Sequence, residues 1–319
     1  MIRVDRMAVR VAVASRSFSK NATLRMELSS RYPHSTFNDT DRVLAGGELV
    51  RFLQGHTKAI TGLDVLDESV FRHVPELRLV SKYGVGTDMI DLDAARRHGV
   101  AVRWTPGVNR QAVAELTIAF MIALSRSILP LAVGLREGVW RQPGGRQLSS
   151  AVVGVLGCGA VGQTVARLCR AFGSRVLAHD IQAYDGFYAE AGVSPVSLES
   201  LLRESDIVTI HLPLDASTRG MIDARAISLM KETAFLINTA RGGIVNETAL
   251  AAALADRRLG GAAADVFGAE PPVEAQLLRL PTFIGTPHIG GSTREAVLAM
   301  GRAAIAGLDH SPESVDLTA

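Results

Sequence analysis

Cysteine is almost missing from this chain, with two in 319 residues. That is too few for a disulfide framework, and no Cys/His cluster has the spacing of a zinc site. An excess of charge is missing as well: 34 basic residues meet 32 acidic ones for a formal net charge of +2, so composition offers no basic surface for a nucleic acid. No long apolar run is uninterrupted. The most apolar stretch, Leu116 to Val133, is cut by Ser125, Arg126 and Ser127 and reads as a buried helix rather than a membrane span. The N-terminal residues include Asp5 and no continuous apolar segment, which argues against a secretory signal. Low-complexity tracts and short-period repeats are absent too. What is present is an ordinary globular composition, 47% hydrophobic and 21% charged with 30 glycines, at a length that holds two cores. The expectation is a cytoplasmic two-domain enzyme with no partner among membranes or nucleic acids.

Short β-branched runs alternate with helical patterns from end to end, the rhythm of βαβ units and parallel sheets. In the first part the pattern predicts strands over residues 9–14, 58–61, 77–82 and 100–104, with helices over 22–32 and 91–98. A turn at Thr105-Pro106-Gly107 leads into one long apolar helix over 111–136, and a polar stretch over 138–150 follows. The second series is more regular, with strands expected over 152–156, 175–179, 207–212, 234–238, 261–266 and 282–285, as in a doubly wound sheet. A last helix over 292–308 is long enough to return to the first domain. The predicted class is therefore α/β: two Rossmann-like doubly wound parallel-sheet domains with an active-site cleft between them. Residues 105–290 form a nucleotide domain inserted into a substrate domain made of 1–104 plus 291–319.

The segment Val152 to Gly162, VVGVLGCGAVG, is a buried strand feeding G-x-G-x-x-G. Gly157 permits the tight turn, Gly159 lets the backbone approach a pyrophosphate, and Gly162 lets helix and strand pack closely. Ala160 and Val161 open the following helix, whose positive end is directed at the phosphates. The next strand ends at Asp180, 23 residues after Gly157, where an acid meets the adenosine ribose. A carboxylate there accepts hydrogen bonds from a ribose diol and repels a 2′-phosphate, so NAD is expected rather than NADP. Cys158 reads as a small filler of the loop.

Three polar residues follow at the carboxyl ends of later strands, where ligands bind in such sheets. They are Arg241 after LINTA, Glu270 before Pro271-Pro272, and His288 in TPHIGG. Each alone has a bland reading, as a surface charge, a loop acid or a packing histidine. Together they suit the reduction of a 2-keto acid. A histidine titrating near neutrality donates a proton to the carbonyl oxygen, a neighbouring carboxylate favours the imidazolium, and an arginine fork holds the substrate carboxylate. No metal is required.

These segments resemble the D-isomer-specific 2-hydroxyacid dehydrogenase family. The resemblance is carried by VGVLGCGAVGQTVAR, HLPLDASTRGMI, LINTARGGIVNETAL, DVFGAEPP and TPHIGG, which stand in this order and belong to a similarity covering nearly the whole chain. It implies that His288 is the acid/base, Glu270 its partner and Arg241 the substrate anchor. It also implies that Asp265 contacts the nicotinamide end, that Thr239, Ala240, Gly290 and Gly291 line the cofactor, and that His211, Leu212, Pro213 and Thr218 flank the adenosine. The long helix from Gln111 would belong to a homodimer interface. The chain ends at Ala319, so a phosphoglycerate dehydrogenase-like enzyme would here be a short form without the appended regulatory domain.

The resemblance further implies that the loop Lys82-Tyr83-Gly84-Val85-Gly86 binds substrate, with the successive amides of Val85 and Gly86 forming a nest for its carboxylate, and that Asn109 contacts substrate. Lys82-Tyr83, Arg110 and Ala112 depart from the family pattern. With only four lysines in the chain, Lys82, together with Arg110 and either Arg16 or Lys20, would make a second anionic subsite for a phosphorylated or phosphonate-bearing acid such as 3-phosphohydroxypyruvate. The alternative is that these are solvated charges on a cleft rim. Two other functions stay open: a glyoxylate/hydroxypyruvate reductase, and an NAD(H)-sensing corepressor-like binding protein. Phosphite oxidation is disfavoured, because Val85 stands where that branch places a lysine.

Overall fold

A computed structural model describes residues 6, 8–272 and 276–310. The chain forms two compact units. One comprises the chain through Asn109 together with the chain from Arg294 onward, and the other is Arg110–Thr293.

In the first unit, β1 (Arg10–Val13), β2 (His34–Phe37), β3 (Lys58–Thr61), β4 (Leu79–Lys82) and β5 (Ala101–Arg103) form an all-parallel sheet in the order β2-β1-β3-β4-β5. Every residue of β3 and β4 is buried, as expected of parallel strands covered on both faces. The edge strand β2 has no apolar run and alternates exposed with half-buried residues, which is why periodicity did not reveal it. Helix Ala22–Arg31 starts at Asn21, whose side chain accepts from the Leu24 amide at 3.1 Å, and it buries Leu24 and Leu28. Helix Arg294–Gly307 returns to this sheet, where the Ser81 hydroxyl of β4 donates to the Ala304 carbonyl at 2.7 Å.

The second unit holds β6 (Val152–Leu156), β7 (Arg175–His179), β8 (Ser194–Pro195), β9 (Ile207–Ile210), β10 (Phe235–Asn238), β11 (Gly261–Ala264) and β12 (Phe283–Gly285). They form one parallel sheet in the order β12-β11-β10-β9-β6-β7-β8. The strand order reverses at β6 and β9, the switch point at which doubly wound sheets bind ligands. Successive side chains alternate between two core layers: Leu236 lies in one and Ile237 in the other, both fully or almost fully buried. Two-residue β8 is too short to leave a periodic trace.

The single helix expected over 111–136 is two helices, Arg110–Ser125 and Ile128–Arg136, bent by 64°. Ser127 adopts a left-handed conformation at the break, with φ of 49°. Pro130 explains it: a continuous helix would drive its ring into the Arg126 carbonyl and leave that carbonyl without a donor. The first helix buries much of its surface, whereas the second has no buried residue. Among the described residues, no single helix is long and apolar enough to cross a membrane, and no three His, Cys, Asp or Glu side chains gather as a metal site would require.

Candidate active site

The glycine loop follows β6 and turns at Gly157, whose φ is 95°. A Cβ at Gly157 would lie 2.8 Å from the His211 carbonyl, and one at Gly162 would lie 1.9 Å from the Gly157 oxygen, whereas one at Gly159 would meet nothing within 4 Å. Two glycines are thus required by the protein's own backbone, and Gly159 leaves open space. Helix Ala160–Ala171 begins there with no side-chain cap on its N-terminus, leaving the first amides available to an anion. At the end of β7 the Asp180 carboxylate accepts from the Cys158 amide at 2.6 Å and from the Gln182 amide at 2.9 Å. Each oxygen retains acceptor capacity for a ribose hydroxyl. Open space at Gly159, an uncapped helix end and a fixed acid therefore fit NAD. Cys158 is buried, and burial pushes its thiol up to about 11, so it is an inert part of the loop wall.

Three of the other expected cofactor residues make hydrogen bonds within the fold. The His211 ring meets the Thr209 hydroxyl through Nε2 at 3.0 Å, while its Nδ1 is buried without a hydrogen-bond partner. Burial lowers its pKa to about 3, so the ring is neutral. The buried Thr218 hydroxyl donates to the Pro213 carbonyl at 2.7 Å and closes that loop. Thr239 is buried against Thr117, with their hydroxyls 2.8 Å apart.

Arg241 follows a turn built by Asn238 at the end of β10. The Asn238 amide group donates to the Arg241 carbonyl at 2.8 Å, and its oxygen accepts from the Ala240 amide at 3.1 Å. Sequence reasoning passed over Asn238, although an Asn at a strand end is a typical signal for such a turn. The Arg241 guanidinium donates to the Ala240 carbonyl at 2.7 Å.

Asp265, buried just beyond β11, organises the loop that carries His288. Its Oδ1 accepts from the Thr286 hydroxyl at 2.5 Å and the Ile289 amide at 2.7 Å, and its Oδ2 accepts from the Gly290 amide at 2.7 Å. His288 is held between these anchors at φ of 55°, a conformation uncommon for a residue with a Cβ. Its Nδ1 lies 2.7 Å from Glu270 Oε2, and Glu270 Oε1 accepts from the Phe267 amide at 3.1 Å. The Glu270 hydrogen bond raises the pKa of His288. Burial opposes this, while the charges of Glu270 and Asp265 add to it and that of Arg241 detracts. Burial works against the Glu270 charge, yet its bonds to His288 and the Phe267 amide leave it below the ordinary carboxylate value. Each partner keeps the other ionised.

In the first unit, Gly84 turns the chain after β4 with φ of 126°, and Val85 and Gly86 are half-buried. Tyr83 is buried edge-on against Phe18, with ring centroids 5.6 Å apart. Lys82 is buried rather than solvated, and its ammonium donates to the Gly62 carbonyl. Lys20 pairs with Asp41. Asn109 is half-buried, and Arg110 is exposed at the first position of its helix.

A family model for the D-isomer specific 2-hydroxyacid dehydrogenase NAD binding domain matches residues 118–290. A glycerate dehydrogenase from Methylorubrum extorquens is 34% identical over 292 residues, covering 88% of each chain. A D-3-phosphoglycerate dehydrogenase from Mycobacterium tuberculosis is 38% identical over 233 residues, which are 72% of this chain and 44% of that protein, so this chain spans less than half of that relative. Among solved structures, a D-lactate dehydrogenase from Aquifex aeolicus complexed with NAD and lactic acid superposes with a TM-score of 0.84 at 26% identity, covering 93% of each chain. All three relatives are named as dehydrogenases, and the reading as an NAD(H)-sensing binding protein draws no support from them.

Proposed function

The chain belongs to the D-isomer-specific 2-hydroxyacid dehydrogenase family and is an NAD-dependent oxidoreductase, and from that premise we propose that it interconverts a small, unphosphorylated 2-keto acid and its D-2-hydroxy acid. The observation that carries the assignment is the 2.7 Å bond between His288 Nδ1 and Glu270. It fixes the ring and leaves Nε2 as the atom that holds the exchangeable proton. The raised pKa favours the form that carries this proton, from which the carbonyl oxygen takes it during reduction. NADH, when bound, supplies the hydride. Gly157, Gly159, Gly162 and the uncapped amides of Ala160 and Val161 hold its pyrophosphate, and Asp180 its ribose diol. Arg241 holds the substrate carboxylate by its planar fork. Asp265 sets the His288 loop through three hydrogen bonds.

The preference for an unphosphorylated acid rests on Lys82, which is buried on the Gly62 carbonyl and so is not disposed as an exposed phosphate ligand; Lys20 is exposed in a surface pair with Asp41. NADH consumption with glyoxylate, hydroxypyruvate, pyruvate and 3-phosphohydroxypyruvate tests this. We expect kcat/KM for hydroxypyruvate or glyoxylate to exceed that for the phosphorylated acid by about tenfold or more. The reverse order, lost on Lys82→Ala, would restore the second anionic subsite.

We also infer a homodimer. Ile128, Leu129, Val133, Leu135, Val139 and Trp140 leave 46–75% of their surface exposed on and after the unburied helix, an apolar patch of the kind covered by a partner. Molar mass in solution should correspond to two chains and fall to one on Leu135→Glu.

A further inference from the structure

Two adjacent backbone amides ahead of Glu270 are given to two different glutamates. The Phe267 amide donates to Glu270 Oε1 at 3.1 Å, and the Gly268 amide donates to Glu247 Oε1 at 2.6 Å. Glu247 stands in the first turn of helix Glu247–Ala255, where an acid is ordinary for the helix alone. Its carboxylate, however, reaches across 21 positions of sequence to Gly268, and the helix is capped separately by Asn246, which accepts from the Ala249 amide at 3.0 Å.

The stem beneath Glu247 is rigid. The Ile222 amide donates to the Ile244 carbonyl at 3.1 Å, and the Asn246 amide donates to the Ile222 carbonyl at 3.0 Å. The Phe267–Gly268 peptide is also pressed from the other side by the turn that carries Arg241. A Cβ at Gly242 would lie 1.9 Å from the Phe267 oxygen and 2.6 Å from the Gly268 nitrogen, so that peptide has no room to drift toward the turn. Glu247 supplies the remaining restraint: with the Phe267–Gly268 peptide plane held, only the φ and ψ torsions of Phe267 separate it from the amide that Glu270 accepts, so a fixed second plane narrows the ways the first can leave.

We propose that Glu247 is a positioning residue for the His288–Glu270 pair: by holding the Gly268 amide it fixes the Phe267 amide on Glu270 and so keeps Glu270 seated against the histidine. The kinetic part of this inference rests on the dehydrogenase reading above, but its primary readout does not. The charged groups acting on His288 are Glu270, Asp265 and Arg241, and a substitution at Glu247 leaves all three in the chain.

The test is a histidine-labelled NMR titration of the full chain, with the His288 resonance assigned by its loss in His288→Gln, alongside thermal melts and the pH profile of kcat. Glu247→Ala should move the His288 titration toward its ordinary value near 6.5 by about half a unit or more, with the pH limb of kcat moving alongside. Glu247→Gln, which keeps an oxygen for the Gly268 amide, should restore the titration. Should Glu247→Ala not fold, Glu247→Asp serves in its place, because it retains the first-turn acid but withdraws the carboxylate by one methylene. A lowered melting temperature with an unmoved His288 titration would overturn the proposal, and so would equal shifts in the Ala and Gln variants. If wild-type protein turned over none of the keto acids, the dehydrogenase reading would fail while the titration still decided the role of Glu247.

Discussion

Two histidines stand at the carboxyl ends of strands in one sheet and are driven in opposite directions. His211, just after β9, experiences burial alone: its pKa falls to about 3, and its Nδ1 has no hydrogen-bond partner. His288, beyond β12, is disfavoured by burial too, yet the Glu270 carboxylate 2.7 Å from its Nδ1 outweighs that cost and raises its pKa. Position at a strand end brings a side chain near a ligand, but an adjacent carboxylate decides whether an imidazole carries a proton at neutral pH. The same chemical group is driven toward its neutral form in one loop and toward its protonated form in the other.

The largest effect should come from removing the member whose protonation is favoured, His288. His288→Gln is expected to lower kcat by about 10²–10⁴-fold while NADH affinity, read by fluorescence titration, stays unchanged. Wild-type turnover in that variant would break the comparison at its root. A smaller effect should follow Glu270→Gln, which retains shape and removes charge. Reduction needs protonated His288, so its rate is present below the His288 pKa and is lost as pH rises through it. The raised pKa places the wild-type limb above about 6.5, and the amide should bring it to lower pH and reduce kcat at neutrality. Coincident limbs would show that Glu270 is not what charges the ring. The smallest signal belongs to His211, whose ring resonances should stay flat from about pH 5 to pH 8 while those of His288 move. A titration of His211 in that window would remove the contrast.

Much of this site was legible because its parts are local in sequence. Gly157, Gly159 and Gly162 answer three different steric demands within six residues, so a short motif displays them all. Arg241, Glu270 and His288 were readable as strand-end residues of matching chemistry. Asp265 was expected at the nicotinamide, and its observed bonds to Thr286, Ile289 and Gly290 are contacts across more than 20 positions that no local pattern encodes. The burial of Lys82 was hidden for a related reason: a cation reads as solvated until a carbonyl 20 residues away, that of Gly62, is found beside it. Edge strands β2 and β8 escaped because edges need no apolar run, and the helix break escaped because Pro130 acts on the carbonyl four residues before it.

The sequence by itself determined the α/β alternation, the glycine loop with Asp180 after the next strand, and the placing of Arg241, Glu270 and His288 at strand ends, because periodicity and spacing express them over a few residues. Only the tertiary structure decided which histidine is biased toward its protonated form, which aspartate is an anchor and that Lys82 is withdrawn from solvent. Those outcomes depend on burial and on partners brought together from distant segments, and hydrogen bonds of 2.5–3.1 Å exist only once the chain has closed around them.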